Sequence, residues 1–201
     1  MKKVLLLLLL VMSLPVMAQT NIYSGFNKVD TTLNKDKLSG DSLCGLLPVV
    51  KGKVYYSEIV PVKDVSADKL YIRARSWVAK TFVNSQKVIQ MENKEAHKLI
   101  LKGSGVISNR GHYFFCTITI QAKDGRYRYE ISDFIFQGLS DGFIPKIIKQ
   151  PFETYFKGCD CENKKNRLIL ITIKRNTEIT IIQSLNKTMI TVDPSEKEDN
   201  W

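Results

Sequence analysis

Histidine is almost missing from this chain: His97 and His112 are the only two. Cysteine is sparse as well, at Cys44, Cys116, Cys159 and Cys161. A tetrahedral metal centre draws its ligands from clustered Cys and His. Neither histidine lies near the Cys159–Cys161 pair, and Asp160 is the one acid between those thiols. No metal centre and no cofactor are implied. Gly-x-Ser-x-Gly, His-Glu-x-x-His and a Cys-His nucleophile signature are all absent. His97 and His112 are therefore candidate bases to which no motif supplies a nucleophile. There is no internal repeat. After the first 18 residues, no apolar run is long and charge-free enough to span a bilayer.

The N-terminus reads MKKVLLLLLLVMSLPVMAQT. Lys2 and Lys3 precede an apolar run from Val4 to Leu14, and Val16-Met17-Ala18 is a small-residue cleavage signature. The pattern is that of a secretory signal peptide at residues 1–18. Cleavage after Ala18 would leave 183 of the 201 residues, enough for one ordinary core. No cysteine follows the cleavage site directly, so no lipid anchor is indicated. The expected location is outside the cytosol, in the periplasm, the cell envelope or the medium. The chain carries a formal charge of +10. Such a balance favours anionic surfaces, phosphate-bearing glycans or an acidic partner, and also serves solubility. Export permits disulfides. Cys159 and Cys161 flank a single residue and are poorly placed to bridge each other. Cys44 with Cys159 or Cys161 is the pairing to expect, against four reduced thiols.

Residues 19–45 are polar and read as a flexible lead-in; residues 191–201 read as a tail. The turn at Lys51-Gly52 opens a strand at residues 53–62, rich in β-branched and aromatic residues. A helix follows over residues 66–83. Ser66 is its N-cap and Asp68 favours the dipole in its first turn. Leu70, Tyr71, Ala74, Trp77, Val78, Thr81 and Phe82 fall on one face; Lys69, Arg73, Ser76 and Lys80 are expected on the other. Trp77 is the large core anchor. Residues 86–92 and 98–107 read as strands. Gly103 and Gly105 in the second mark a bulge, a sharp twist or a bulky neighbour's close approach.

The stretch TITIQAKDGRYRYEI, residues 117–131, is the best specified. Asp124-Gly125 predicts a two-residue hairpin, expected as type I′. Lys123 then pairs with Arg126, Ala122 with Tyr127, Ile120 with Tyr129 and Ile118 with Ile131. Gln121 pairs with Arg128, Thr119 with Glu130 and Thr117 with Ser132. Apolar pairs share one face and polar pairs the other. Tyr127 and Tyr129 thus face the core, while Arg126 and Arg128 face water. Cys116 continues the apolar face as a buried thiol. Asp133 is placed toward the core at the strand end, to cap it and bond backbone. Phe115 and Phe134 are expected on the wet face. Residues 138–165 are broken by prolines and glycines yet too apolar for a free loop, and read as cover for the sheet edge or a lid. Residues 166–190 read as a helix, with Leu168, Ile171, Ile179, Ile182, Leu185 and Met189 inward.

The run Gly52-Lys53-Val54-Tyr55-Tyr56, then Leu70-Tyr71 and Trp77, then strands ending in Tyr129-Ile131-Asp133, resembles a bacterial family. It is a secreted domain of unknown function with a fold like that of the TATA-binding protein (TBP). The resemblance implies an α+β domain at residues 46–190. Its order is β-α-β-β-β-β-α, a twisted antiparallel sheet with helices on one face. Gly52, Trp77 and Tyr129 are then structural, and no catalytic residue is carried over. The DNA-binding relative builds a saddle from two such repeats; one repeat and an exported chain disfavour nucleic acid here. The expectation is a non-catalytic domain that binds a protein, glycan or small ligand. Its surface would be the polar sheet face (Arg126, Arg128, Lys102, Gln121), the 138–165 segment, or both. Self-association through a sheet edge is a related expectation, and a hydrolase without a motif is the alternative.

Overall fold

The computed structural model describes residues 42–108, 111–140, 143–156 and 161–192. The expected leader, residues 19–41 of the lead-in, Cys159 and residues 193–201 lie outside the described residues. The end of the lead-in is ordered structure: β1 (Ser42–Leu43) pairs with β2 (Leu47–Val50), and β2 with β3 (Lys53–Val54). Lys51 and Gly52 join β2 to β3 with both φ angles left-handed, 51° and 75°, as a type I′ turn requires. Gly52 is structural in that sense. The strand expected at 53–62 is two strands, since β3 belongs to this small sheet and β4 (Tyr56–Pro61) to the main one.

Helix α1 (Ala67–Thr81) begins at Ser66, whose hydroxyl accepts from Lys69 N. Its N-terminus is also held from afar. The Asp124 carboxylate accepts from Ala67 N at 2.8 Å, and Gly125 N donates to Val65 O. Leu70, Tyr71, Ala74, Trp77 and Val78 are buried as their spacing predicts. Arg73 departs from the expectation: it is only 3% exposed. It lies three residues after Leu70 and four before Trp77, so it shares their stripe.

The main sheet is antiparallel, in the order β4-β8-β7-β6-β5, with β9 also on β8. Its strands are β5 (Ile89–Asn93), β6 (Lys98–Ser108), β7 (His112–Lys123), β8 (Arg126–Leu139) and β9 (Ile147–Pro151). Residues 86–88, expected to start β5, belong instead to the short helix α2 (Ser85–Val88), capped by Asn84. The β7–β8 register is the expected one from Lys123↔Arg126 through Thr117↔Ser132. Its turn is not type I′, because Gly125 is left-handed at 73° and Asp124 is not. Beyond Ser132 the register slips by one residue before Phe115↔Ile135. Asp133 takes the extra place at φ 51° and is exposed, not turned to the core. This bulge swings Phe134 inward, to 1% exposure, so it is a core residue and not part of the wet face. Phe134 stacks on Phe114 and Phe152.

The two glycines of β6 make room for neighbours. A Cβ on Gly105 would lie 2.2 Å from the Phe114 ring; one on Gly103 would lie 3.0 Å from Ile118 Cδ1. The 138–165 segment adds β9 to the sheet and then α3 (Phe152–Tyr155), which buries Phe152 beside Phe156. Residues 164–190 are one continuous helix: α4 (Lys164–Arg175), a π-helical stretch (Asn176–Gln183) and α5 (Ser184–Ile190). The inward residues are Ile169, Leu170, Ile173, Thr177, Ile181, Leu185 and Met189. Leu168, expected inward, is 63% exposed, and Ile179 is exposed too. Helices α1, α4 and α5 lie on one face of the sheet, α4 against β6, and α1 against β7, β8 and α5.

Polar pins join these layers. Arg73 Nη1 donates to Met189 O at 2.7 Å, Trp77 Nε1 to Ser184 Oγ at 2.8 Å, and the Tyr127 hydroxyl to Asn186. Tyr129 donates to Glu58 and Tyr71 to Glu92. Burial raises the pKa of each of these tyrosines, and Tyr71 is pushed up to about 12 by burial and then by Glu92.

Two outcomes follow for stability. Gly105→Ala should cost about 1–3 kcal/mol by overpacking. Combined with Phe114→Leu it should cost less than the two changes summed, as urea denaturation of the cycle would show. The raised phenol pKa values stabilise the native state in full below pH ~10, the ordinary tyrosine value. That contribution is lost as pH climbs from 10 through 12, so tyrosinate absorbance should rise together with unfolding in an alkaline titration.

Candidate ligand-binding face

Strand alternation sends side chains to opposite faces. The helices cover one face of the main sheet; no helix among the described residues packs on the other. That second face carries Lys98, Lys102, Lys123, Arg126, Arg128 and Lys149, with the carboxylate of Glu130 among them. Asp133, at the bulge of β8, is a second carboxylate; it is exposed and accepts from Ser132 Oγ at 3.3 Å. Arg126, Arg128 and Gln121 come together as the sequence placed them. With Lys123, Tyr127 and Ile59 they line a depression of about 190 Å³ beside the β7–β8 turn. Ile59 lies outside the expected set, and Lys123 is expected only as the partner of Arg126 across the hairpin. Lys123 is the register partner of Arg126, and Ile59 of Arg128 on β4. The β4 pairing was the part that the local pattern could not supply.

The cations of the depression are not equivalent. Arg128 Nε meets Glu130 Oε1 at 3.2 Å, and its Nη2 donates to Gln121 Oε1 at 3.5 Å. Lys123 and Arg126 meet no carboxylate among the described residues. Lys102 shares the face but not the depression, and its ammonium donates to Thr117 Oγ1 at 2.7 Å. Lys149 stands 4.9 Å above the Phe115 ring, a cation–π contact. Two cations without a carboxylate partner among the described residues thus stand beside a third that Glu130 partly neutralises.

The histidines lie elsewhere. His97 Nε2 is 2.9 Å from Asp68 at the start of α1. His112 Nδ1 is 2.9 Å from Ser108 Oγ, a hydroxyl partner that no motif announced. The two are directly opposite in the β6–β7 register, which accounts for their contact. Among the described residues, no carboxylate orients the imidazole and no three metal-binding side chains gather. No described helix is long and apolar enough to cross a membrane.

Residues 56–137 match the family model of a domain of unknown function with TBP-like fold, DUF4468. The resemblance carried by Leu70-Tyr71, Trp77 and Tyr129-Ile131-Asp133 falls within that stretch. The fold is α+β and TBP-like. A TBP-like protein from Parabacteroides distasonis superposes with a TM-score of 0.59 at 18% identity, over 75% of this chain and 99% of that one. A DUF4468 family protein from Bacteroides ovatus gives 0.54 at 16% identity, over 76% and 95%. No curated protein matches the chain. The likenesses speak for the fold; they name no ligand and no reaction.

Cys44 and Cys161 form a disulfide with Cα atoms 5.3 Å apart, across 117 residues of sequence. It ties the turn after β1 to the approach to α4. Cys116 is a free thiol, buried, its pKa pushed up to about 12 by that burial. Closing so long a loop restricts the unfolded chain, so reduction or Cys161→Ser should lower stability by about 2–4 kcal/mol. Thermal melts with and without reductant would read it. Cys116→Ser, by contrast, should leave the response to reductant unchanged.

Proposed function

We propose that this chain is a non-catalytic binding domain of the cell envelope or periplasm, and that its open sheet face holds an anionic partner. The observation that carries the reading is the pair Lys123 and Arg126, exposed side by side on adjacent strands with no carboxylate to neutralise them. Charges placed only for solubility are interspersed in sign; beside the β7–β8 turn Lys123, Arg126 and Arg128 stand together, and Glu130 meets only the last of them. Export is supported by the N-terminal pattern of residues 1–18 and by the Cys44–Cys161 disulfide, which suits an oxidising compartment. The partner chemistry is that of carboxylates, sulfates or phosphates, as on an acidic glycan or acidic protein segment.

The hydrolase alternative draws on Ser108 and His112, now seen in contact. A nucleophile–base pair works when a third group fixes the base. No such group meets His112 among the described residues, so binding is the better reading. Nucleic acid fits the charge of the face but not the expected location.

The test is affinity for two anionic polymers, heparin and polyglutamate, compared with the variant Arg126→Glu, Arg128→Glu. Retention by the native chain that falls at least tenfold in the variant supports the reading. Equal retention of both chains overturns it, since the charge would then act from somewhere else. Both residues are exposed, and the double change should leave the thermal midpoint nearly where it was.

A further inference from the structure

On the helix-covered side, away from the cationic face, α4 does not close completely over the sheet. Ile107, Ser108, His112, Lys165, Leu168, Ile169 and Thr172 line a cavity of about 300 Å³ there. The four helix residues fall at i, i+3, i+4 and i+7, a single stripe of α4 facing the end of the β6–β7 pair. The chain has therefore turned one stripe of a helix toward open space. Leu168 stands exposed at its margin, although apolar and next to the core residues Ile169 and Leu170.

The lining divides by chemistry. Ile107, Leu168 and Ile169 give an apolar part. Ser108, His112 and Lys165 give a polar part, with no carboxylate in the lining among the described residues. His112 is held in place. Its Nδ1 meets Ser108 Oγ, its ring packs on Phe136, and Gly138 leaves the room it occupies: a Cβ there would lie 2.7 Å from His112 Cδ2. That arrangement commits Nδ1 and leaves Nε2 with no partner among the described residues. Lys165 likewise has no ion-pair partner among them; its backbone N–H is the group that Asn163 caps.

We propose that this cavity binds a small amphiphilic carboxylate, with its head at Lys165 and His112 and its tail on Ile107, Leu168 and Ile169. A volume of about 300 Å³ is at the lower limit for ligand pockets. At ~30 Å³ for each water-sized group it holds roughly ten non-hydrogen atoms, the size of octanoate. Few atoms bury little area, so the dissociation constant should fall between roughly 10 µM and 1 mM. This site is independent of the anionic partner proposed for the sheet face.

The probe is sodium octanoate, titrated into the full chain and followed by amide chemical shifts and calorimetry. Octanol serves as the same tail without charge, and acetate as the same head without tail. Octanoate should bind at least fivefold more tightly than either, shifting amides of residues 107, 108, 112 and 165–172. Lys165→Met should weaken octanoate at least fivefold and leave octanol unchanged. Lys165 is exposed, so this variant should fold normally. Leu168→Asp should abolish both. Equal binding of octanoate and octanol, no effect of Lys165→Met, or no binding at millimolar concentration overturns the proposal. The Arg126→Glu, Arg128→Glu variant separates the two sites: octanoate binding lost there would place the probe on the sheet face and overturn this site, while retention supports it.

Discussion

The buried guanidinium of Arg73 sets a condition that the rest of the fold must meet. A charge taken out of water is costly unless strong acceptors receive it. Here one acceptor is the carbonyl of Met189, in the last turn of α5, where helix carbonyls have no partner of their own and the dipole is negative. The contact serves two needs at once, giving a buried cation an acceptor and an orphan helix end a donor. It also joins segments 116 residues apart in sequence. Trp77 to Ser184 and Tyr127 to Asn186 repeat the device along the same helix. Apolar packing tolerates sliding, whereas a hydrogen bond has a direction and a length. The three together fix how the C-terminal helix lies over α1 and the sheet.

The π-helical stretch belongs to the same problem. The buried positions Ile169, Ile173, Thr177, Ile181, Leu185 and Met189 recur every four residues. In a pure α-helix of 3.6 residues per turn, each four-residue step would rotate the stripe by about 40°. Over the length of this helix the stripe would leave the sheet well before Met189. A wider turn at Asn176–Gln183 winds the other way relative to that drift. It returns Ile181, Leu185 and Met189 to the core, and with them the carbonyl that Arg73 requires.

Much of this was legible in the sequence where the determinants are local. The 117–131 hairpin pairs as its alternation dictates because turn and pattern agree. Ser66 and the α1 stripe follow from capping and period. The failures share a cause, a partner distant in sequence. Arg73 reads as a surface residue until the carbonyl of Met189 is supplied. Asp133 and Phe134 sit on the wrong faces until the bulge is known, and nothing in their own neighbourhood announces it. Leu168 and Ile179 fall inward only on a constant helical period, and this segment changes period at Asn176–Gln183. At the candidate face, Arg126, Arg128 and Gln121 were legible from the hairpin alone. Lys102 was over-grouped, since a shared face is not a shared pocket. Ile59 needed the β4–β8 pairing, which closes over a long loop.

One uncovered sheet face raises a further physical question, because its cations coexist with Ile100, Phe115 and Ile135. An open sheet with apolar side chains invites association, and lysine is a common remedy. Charge as a guard against aggregation and charge as a ligand site make different demands on placement. A guard works best when spread along edges and mixed in sign. A site works when like charges converge and remain unpaired. Lys98, Lys102 and Lys149 are dispersed over the face, and the contacts seen for the last two are a neighbouring hydroxyl and an aromatic ring. Lys123 and Arg126 suit the second demand. Directly opposed like charges on neighbouring strands are destabilising, and the fold keeps this pair beside the turn that holds α1's N-terminus. Solubility alone would be served equally by a carboxylate at either position. The pair therefore argues for a surface shaped toward an anion, on a face that the helices leave free.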